Sequence, residues 1–283
     1  MRPPTTLDAL ARDSGTFLMV AMDQRESLRT MMDGADDERM RRFKLAVARE
    51  LSPYASGFLI DRLYGYDEVV EQGLVPDSCG LILAADALDD AGGVVQETEL
   101  DEEIDPRAAV ALKLLVIWRD DDRRAHRLEV AKHFVETAAA YGILSVLEGI
   151  VRVPEGSDRE AAIVEAAEEL SSAGPSLYKV EVPLRGKGDP TEIAERCRAI
   201  DAVVPMPWVV LSNGVALEDF PRAVEASCRG GASGMLAGRA IWSDVVGADD
   251  PAPLLRERSV PRLRQLAEIV DRVGRPWREK AVM

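Results

Sequence analysis

The chain has 283 residues, of which 47% are hydrophobic and 30% charged, a balance typical of a globular protein with a full core. Its formal net charge of -15 disfavours nucleic acid and anionic membranes as partners, and an anionic substrate would need a local basic pocket. We find no apolar run of membrane-spanning length and no apolar signal-peptide core near Met1, so we expect a cytoplasmic protein. Three widely spaced cysteines fit reduced, buried thiols: Cys79, Cys197 and Cys228.

The chain has too few histidines for a typical catalytic zinc site, and their positions do not suggest a Ser-His-Asp triad. The chain contains only His126 and His133, both in a charged segment that reads as a helix surface. A catalytic zinc site usually needs two or three histidines, often with a carboxylate, and a Ser-His-Asp triad needs one beside the nucleophile. We therefore expect neither a metal nor any other cofactor.

Short apolar runs alternate with amphipathic segments along almost the whole chain. Eight runs predict strands, at residues 17–22, 57–61, 80–85, 111–118, 143–148, 177–183, 208–212 and 234–238. Helical sequence follows most of these runs, at residues 37–50, 67–72, 121–141, 157–172, 191–200, 217–229, 239–246 and 260–273. An acidic, glycine-containing segment at 86–106 reads as a solvated excursion.

This alternation predicts the fold. Eight apolar strands, each followed by helical sequence, are typical of a (β/α)8 TIM barrel. The runs are continuously apolar, as parallel strands buried on both faces are. A doubly wound open sheet is the main alternative, but the first strand leads into Asp23-Gln24-Arg25 and not into a G-x-G-x-x-G turn. We find no linker composition, and expect one barrel domain over residues 1–283.

One lysine interrupts the sixth apolar run. Lys179 lies in the middle of Leu-Tyr-Lys-Val-Glu-Val-Pro, where its amine cannot easily reach bulk water. Burial disfavours the charged form of a lysine, and an uncharged amine can attack a ketone to form a Schiff base. The alternative is a structural ion pair with Glu181, two residues along the same strand face.

Other polar residues fall at or inside predicted strand ends, where barrel active sites form. Asp23 follows the first strand, Lys113 interrupts the fourth and Glu148 ends the fifth. A second ammonium group at Lys113 would further disfavour the charged form of Lys179, and the carboxylates could exchange protons. The alternatives are a Lys113–Glu148 ion pair, a helix N-cap at Asp23 and a carboxylate at a helix N-terminus for Glu148.

The last two strands end in sequence suited to an anion. Loops after strands seven and eight commonly hold phosphate in this fold, and here they supply serine, asparagine, arginine and glycine. The candidate binding residues are Ser212, Asn213, Gly214, Gly238 and Arg239, although the last pair also fits an ordinary turn into a helix. Gln24 and Arg25 form a second cationic cluster that could hold another anionic group.

Six segments together resemble a known family, the class I aldolases of the tagatose 1,6-bisphosphate aldolase family, and most of all its sulfofructosephosphate aldolase branch. The similarity runs from about Phe17 to Val273. The segments that carry it are AMDQR at 21–25, LSPYAS at 51–56, ALKLLVIW at 111–118, LYKVEVPLRGKG at 177–188, PWVVLSNGV at 207–215 and GASGMLAGRAIW at 231–242. The pattern departs from the family at Asn213, where a second serine is usual, and at Gly149-Ile150, where Pro-Val is usual.

The resemblance implies an enzyme and a set of roles. Lys179 would be the Schiff-base lysine, with Glu148 and Asp23 as acid and base groups and Lys113 in support. Ser212, Gly238 and Arg239 would bind the phosphate of dihydroxyacetone phosphate, and Gln24 and Arg25 would face a sulfonate at the far end. The substrate would be an anionic sugar phosphate, and the protein a homo-oligomer, either a dimer or a tetramer.

The implied reaction is cleavage of 6-deoxy-6-sulfofructose 1-phosphate to dihydroxyacetone phosphate and 3-sulfolactaldehyde. The nearest alternative is an aldolase for tagatose or fructose 1,6-bisphosphate. An alternative of a different class is a non-catalytic barrel that binds a sugar phosphate and regulates a partner.

Overall fold

A closed barrel of eight parallel strands forms the centre of the computed structural model, which describes residues 5–281. The order around the barrel is β1-β10-β9-β8-β7-β6-β3-β2, with β4 and β5 outside it. The strands are β1 (Phe17–Met22), β2 (Gly57–Asp61), β3 (Gly80–Ala84), β4 (Asp86–Ala91), β5 (Val94–Leu100), β6 (Ala111–Trp118), β7 (Leu144–Val151), β8 (Leu177–Glu181), β9 (Trp208–Leu211) and β10 (Gly234–Ala237). The predicted TIM barrel is confirmed.

Helices cover the outside of the barrel, and each of the eight predicted helical segments overlaps one, although the segment at 239–246 is α-helical only at 239–242. Three short α-helices, at 26–31, 251–254 and 277–281, were not predicted. The helices are α1 (Glu26–Met31), α2 (Asp37–Leu51), α3 (Asp67–Glu71), α4 (Arg124–Tyr141), α5 (Arg159–Ser171), α6 (Pro190–Val203), α7 (Phe220–Arg229), α8 (Arg239–Trp242), α9 (Pro251–Leu254), α10 (Val260–Val273) and α11 (Trp277–Ala281). Within residues 5–281, no helix has both the length and the apolar character that crossing a bilayer requires.

The two faces of the strands build two cores, because successive side chains of a strand point to opposite sides. Outward residues such as Leu18 and Val20 pack against the helices. Inward residues such as Phe17, Met19 and Leu59 fill the interior of the barrel. Toward the carboxyl ends of the strands this interior changes from apolar to charged, which locates the polar residues at one mouth.

The acidic segment at 86–106 differs from its prediction as a solvated excursion. Residues of β4 and β5 pair as an antiparallel hairpin, and most of their side chains are exposed or half-buried. The exceptions are Thr98, which is buried in β5, and Asp86, whose side chain is fully enclosed at the start of the hairpin. The composition of the segment concealed this residue, because its acidic neighbours do face solvent.

Strand β7 is longer than predicted and continues three residues past Glu148, to Val151. Glu148 therefore lies inside the barrel wall, and the next helix, α5, begins only at Arg159. The alternative role of Glu148 as a carboxylate at a helix N-terminus is wrong. The extension also carries Ile150 and Arg152 to the mouth of the barrel.

Candidate active site

Lys179 projects into the barrel from β8 and is 3% exposed. Its register partner on β7 is Glu148, and its Nζ donates to Glu148 Oε2 at 2.8 Å. The alternative ion pair with Glu181 does not form. Glu181 instead accepts hydrogen bonds from Arg159 at 2.8 Å and from Asn213 at 3.0 Å.

Lys113 connects three carboxylates at the centre of the site. Its Nζ donates to Asp23 Oδ2 at 2.8 Å and lies 3.0 Å from Glu148 Oε2 and 3.4 Å from Asp86 Oδ1. Both Lys113 and Lys179 therefore contact the same oxygen of Glu148. The alternative Lys113–Glu148 pair does form, but as part of this larger cluster. Asp23 does not cap α1, whose N-cap residue has no capping side chain.

The two ammonium groups set the ionisation of the carboxylates. Burial opposes ionisation of Asp23 and of Glu148, but the charges of Lys113 and Lys179 outweigh burial and hold both pKa values below the ordinary range. Burial also opposes the charge on Lys113, yet the surrounding carboxylates raise its pKa. Asp86 is the exception: burial raises its pKa despite Lys113 and Arg25, so Asp86 is the carboxyl of this cluster that most readily takes up a proton.

A second buried ion pair lies beside this cluster and escaped the sequence analysis. Lys44 of α2 is fully buried and pairs with Asp61 at the end of β2. Burial lowers the pKa of Lys44, and Asp61 opposes that effect. Asp61 could have been found, because it closes an apolar strand as Asp23 does. Lys44 could not, since nothing in a helix sequence marks one lysine as pointing inward.

The residues after β1 partly follow expectation. Arg25 donates to the backbone carbonyl of Asp86 at 2.9 Å and lies 3.9 Å from the carboxylates of Asp61 and Asp86. The Gln24 amide is close to the position that a Cβ of Gly238 would occupy. Both Gln24 and Arg25 line the cavity at the mouth, but the guanidinium of Arg25 already donates through Nη1 within the protein, while its buried Nε has no hydrogen-bond partner within residues 5–281.

The loops after β9 and β10 meet as predicted and are joined by Asn213. Its amide nitrogen donates to Glu181, and its Oδ1 accepts from Arg239 at 2.7 Å. Ser212 Oγ lies 3.5 Å from the backbone nitrogen of Ala240. The departure at Asn213 thus has a structural consequence, because an amide can accept from Arg239 and donate to Glu181 at once.

Two glycines allow this close arrangement. Gly214 has a φ of +74°, in the left-handed region that glycine adopts without a steric penalty. At Gly238 a Cβ would lie 2.4 Å from the carbonyl oxygen of Ala21, so a side chain there would push β10 away from β1. Helix α8 begins at Arg239, so the alternative prediction that Gly238 and Arg239 form a turn into a helix is also correct.

A cavity of about 270 Å³ joins these groups at the mouth of the barrel. Its floor and rim carry ten of the eleven residues predicted for the site, and its lining adds others that were not predicted, notably Asp86 and Arg152. Gly214, which follows Asn213 in the loop after β9, is the one member of the predicted set that does not line the cavity. The lining from the predicted set is Asp23, Gln24, Arg25, Lys113, Glu148, Lys179, Ser212, Asn213, Gly238 and Arg239.

One side of the cavity is apolar. Ile117, Ile150 and Leu211 form a small cluster above the charged floor, and Val95 of the hairpin packs against it. The hairpin therefore covers part of the mouth. Such a wall lowers the local dielectric constant and strengthens the interactions of charged groups near it.

A parallel barrel whose mouth holds buried lysines, carboxylates and a basic pair of loops has the architecture of a barrel aldolase. The chain belongs to the DeoC/LacD family of aldolases, whose family model matches residues 17–244. It is therefore a carbon–carbon lyase, a class I aldolase of the DeoC/LacD type.

Curated relatives agree with this membership, and a solved structure shares the fold. Tagatose 1,6-diphosphate aldolase of Listeria innocua is 27% identical over 96% of this chain and 92% of the relative. The enzyme of the same name from Staphylococcus aureus is 25% identical over 97% of each chain. An archaeal fructose-1,6-bisphosphate aldolase, solved with its catalytic lysine bound to a carbinolamine intermediate, shares the fold with a TM-score of 0.64. It is 17% identical and covers 94% of this chain and 98% of its own.

Proposed function

We propose that this aldolase cleaves 6-deoxy-6-sulfofructose 1-phosphate to dihydroxyacetone phosphate and 3-sulfolactaldehyde through a Schiff base on Lys179. The observation that carries the proposal is the 2.8 Å contact of Lys179 with Glu148 at the floor of the cavity. A buried amine beside a buried carboxylate can pass a proton to it and attack a carbonyl. The family resemblance supplies the sulfonated substrate.

The steps follow from the contacts of each group. Lys179 Nζ attacks the C2 ketone, and Glu148 moves protons between the amine and the carbinolamine oxygen until water leaves. The resulting iminium withdraws electrons from C3. Asp23, which contacts Lys113 and not Lys179, takes the C4 hydroxyl proton as the C3–C4 bond breaks. The aldehyde departs, and the enamine left on Lys179 is protonated at C3 and hydrolysed to dihydroxyacetone phosphate.

Lys113 supports both carboxylates in this scheme. It contacts Asp23 and Glu148 and lowers the pKa of each, so that both are ionised and able to accept a proton near neutral pH. In return those carboxylates raise the pKa of Lys113, and it stays charged. We assign it an electrostatic role and leave the nucleophile to Lys179.

The phosphate on C1 is assigned to the loops after β9 and β10. Ser212 can donate its hydroxyl, Arg239 can donate from nitrogens not used by Asn213, and Gly238 lets the sugar approach the backbone. Asn213 and Gly214 shape the first of these loops. Gln24 and Arg25 remain proposed contacts for the substrate beside β1.

A second candidate is a tagatose or fructose 1,6-bisphosphate aldolase, favoured by the names of the curated relatives. Sulfonate and phosphate both present three oxygens, so the same cavity could take either. Membership of an aldolase family decides against the non-catalytic barrel.

Cleavage kinetics of purified protein separate the two candidates. We would measure kcat/KM for sulfofructose 1-phosphate and for both bisphosphates by coupling release of dihydroxyacetone phosphate to its reduction. The proposed function requires the sulfonated substrate to have the largest kcat/KM, and a larger value for either bisphosphate would favour the second candidate.

Borohydride with substrate should label Lys179, as located by peptide mass spectrometry. A chelator should leave the rate unchanged, and sedimentation would test the predicted dimer or tetramer.

A further inference from the structure

Arg152 is the cavity-lining cation that the proposed reaction does not yet use. It follows the end of β7 and points into the mouth, above Ile150 and Glu148. Among the side-chain hydrogen bonds and ion pairs of residues 5–281, none involves its guanidinium, although the charge of Glu181 acts on it from a longer distance. A guanidinium carries five N–H donors, and the side chain that carries them here lines the cavity.

Each of the other arginines at the mouth has at least one hydrogen-bond partner within the protein. Arg25 is bound to the carbonyl of Asp86 and Arg239 to Asn213. Arg119, beside Arg152, donates to the carbonyl of Gln96 at 2.7 Å and to Glu97 at 3.0 Å. These last contacts tie the hairpin to the barrel.

Unbalanced charge surrounds Arg152. Burial lowers its pKa, and the positive charge of Arg119 lowers it further, against the attraction of Glu181. The neighbouring wall of Ile117, Ile150 and Leu211 is apolar, so solvent screening of the half-buried guanidinium is weaker on that side. A bound anion would relieve both effects.

The order of the strands places Arg152 on the correct side of Lys179 for the far end of a ketose. Around the barrel the sequence of strands is β10, β9, β8, β7. The proposed phosphate loops follow β10 and β9, Lys179 is on β8, and Arg152 follows β7. With C2 bound to Lys179 and the C1 phosphate on one side, carbons C3 to C6 extend to the other side, over Glu148.

We propose that Arg152 is the specificity-determining residue that binds the oxyanion on C6 of the substrate, a sulfonate or a phosphate. Its planar fork matches two oxygens of either group. Arg25, which is held against Asp86, is then assigned to the part of the substrate near the reacting carbons and not to the anionic group on C6. This role for Arg152 rests on the proposed function, since it presupposes a ketose 1-phosphate bound at Lys179.

The test compares substrates with and without the distal anion. Sulfofructose 1-phosphate and fructose 1,6-bisphosphate carry it, whereas fructose 1-phosphate ends in a hydroxyl. For Arg152→Met we expect kcat/KM on the first two to fall about 10- to 100-fold, the effect of losing hydrogen bonds to a charged group. The value for fructose 1-phosphate should be unchanged. Arg152→Lys should recover part of the loss, because lysine keeps the positive charge but lacks the paired N–H donors of the guanidinium.

Arg196→Met is the matched control, because Arg196 is an exposed arginine on α6; it should leave all three rates unchanged. A loss confined to the sulfonated substrate would assign the subsite to sulfonate, and a loss on both doubly charged substrates would assign it to either oxyanion. An equal loss on all three substrates, or no loss, overturns the role of Arg152. Wild-type protein that cleaves none of the three overturns the proposed function itself.

Discussion

A Cβ atom at Gly149 would lie 2.3 Å from the hydroxyl oxygen of Tyr178, so the glycine leaves the space that the tyrosine hydroxyl fills. The two residues lie on neighbouring strands, where Gly149 follows Glu148 and Tyr178 precedes Lys179. Tyr178 is fully buried and cannot move into solvent. The packing of this pair therefore helps to hold the two strands that carry the catalytic contact.

The first prediction concerns Gly149→Ala. The new methyl group must displace Tyr178 or separate β7 from β8, and overpacking of this kind costs about 1 to 3 kcal/mol. We expect the free energy of unfolding to fall by that amount, as measured by urea denaturation.

Tyr178→Phe provides the control, because the hydroxyl is the atom nearest the added methyl group and the next ring carbon is 3.3 Å away. Its own contact is a long 3.5 Å hydrogen bond to Ala166, so the single variant should lose little. The double variant should lose less unfolding free energy than the two single variants lose in total, by about 0.5 kcal/mol or more. Strict additivity would show that the hydroxyl is not the obstacle.

The second prediction is a pH dependence centred on Lys113. The pKa values of Asp23 and Glu148 are lowered in the folded chain. Their ionisation therefore stabilises the fold above the unfolded pKa values, and this contribution is lost as the pH falls through the folded values. In Lys113→Met we expect burial, the largest effect on both groups, to outweigh the remaining attraction of Lys179 and to raise both pKa values, so that ionisation costs stability as the pH rises. The difference in unfolding free energy between wild type and variant should widen between about pH 4 and about pH 7.

Lys132→Met is the matched control, since Lys132 is an exposed lysine of α4 whose ion pair with Glu129 spans one helical turn. Such pairs contribute about 0.3 to 0.5 kcal/mol, and its effect should be small at every pH. If the loss in Lys113→Met were the same at both ends of the range, Lys113 would not set the ionisation of the carboxylates.

Most of the barrel was predictable because each strand is a continuous apolar run that ends in a polar residue or glycine. Strand β6, predicted at 111–118, has the same bounds in the structure, and Lys113 inside it did not obscure the pattern. For strand β7 the sequence predicts an end at Glu148, because a charged residue there is typical of a strand end. In the structure the charge of Glu148 is balanced by Lys113 and Lys179, and the strand continues to Val151.

The site was predictable only where polar residues interrupt or end an apolar run. Asp86 lies two residues after the end of β3, much as Asp23 lies one residue after the end of β1, but the acidic sequence around Asp86 predicted a solvated segment. Arg152 lies beyond the point where β7 appeared to end. The contact between Lys44 and Asp61 depends on how α2 packs against the barrel, which is a tertiary property that strand patterns do not contain.

The third prediction tests that buried pair. Lys44→Met leaves Asp61 charged and fully buried, and breaking a buried ion pair in this way costs about 3 to 5 kcal/mol. Lys44→Met with Asp61→Asn removes both charges, so the double variant should unfold at a higher temperature than Lys44→Met alone. A double variant less stable than the single one would mean that the amide cannot keep its hydrogen bond from the backbone of Tyr64.

The last prediction separates the two carboxylates by the step that each serves. Glu148 contacts Lys179 at 2.8 Å, whereas Asp23 contacts Lys113. Glu148→Gln should therefore slow formation of the Schiff base, and borohydride should trap less adduct on Lys179. Asp23→Asn should still form the adduct but slow C3–C4 cleavage, by about 100-fold or more if a general base is lost. Single-turnover experiments that follow adduct and aldehyde separately give both rates. If adduct formation fell equally in the two variants, Asp23 and Glu148 would act as one unit, and Asp23 could not be assigned to the C4 hydroxyl.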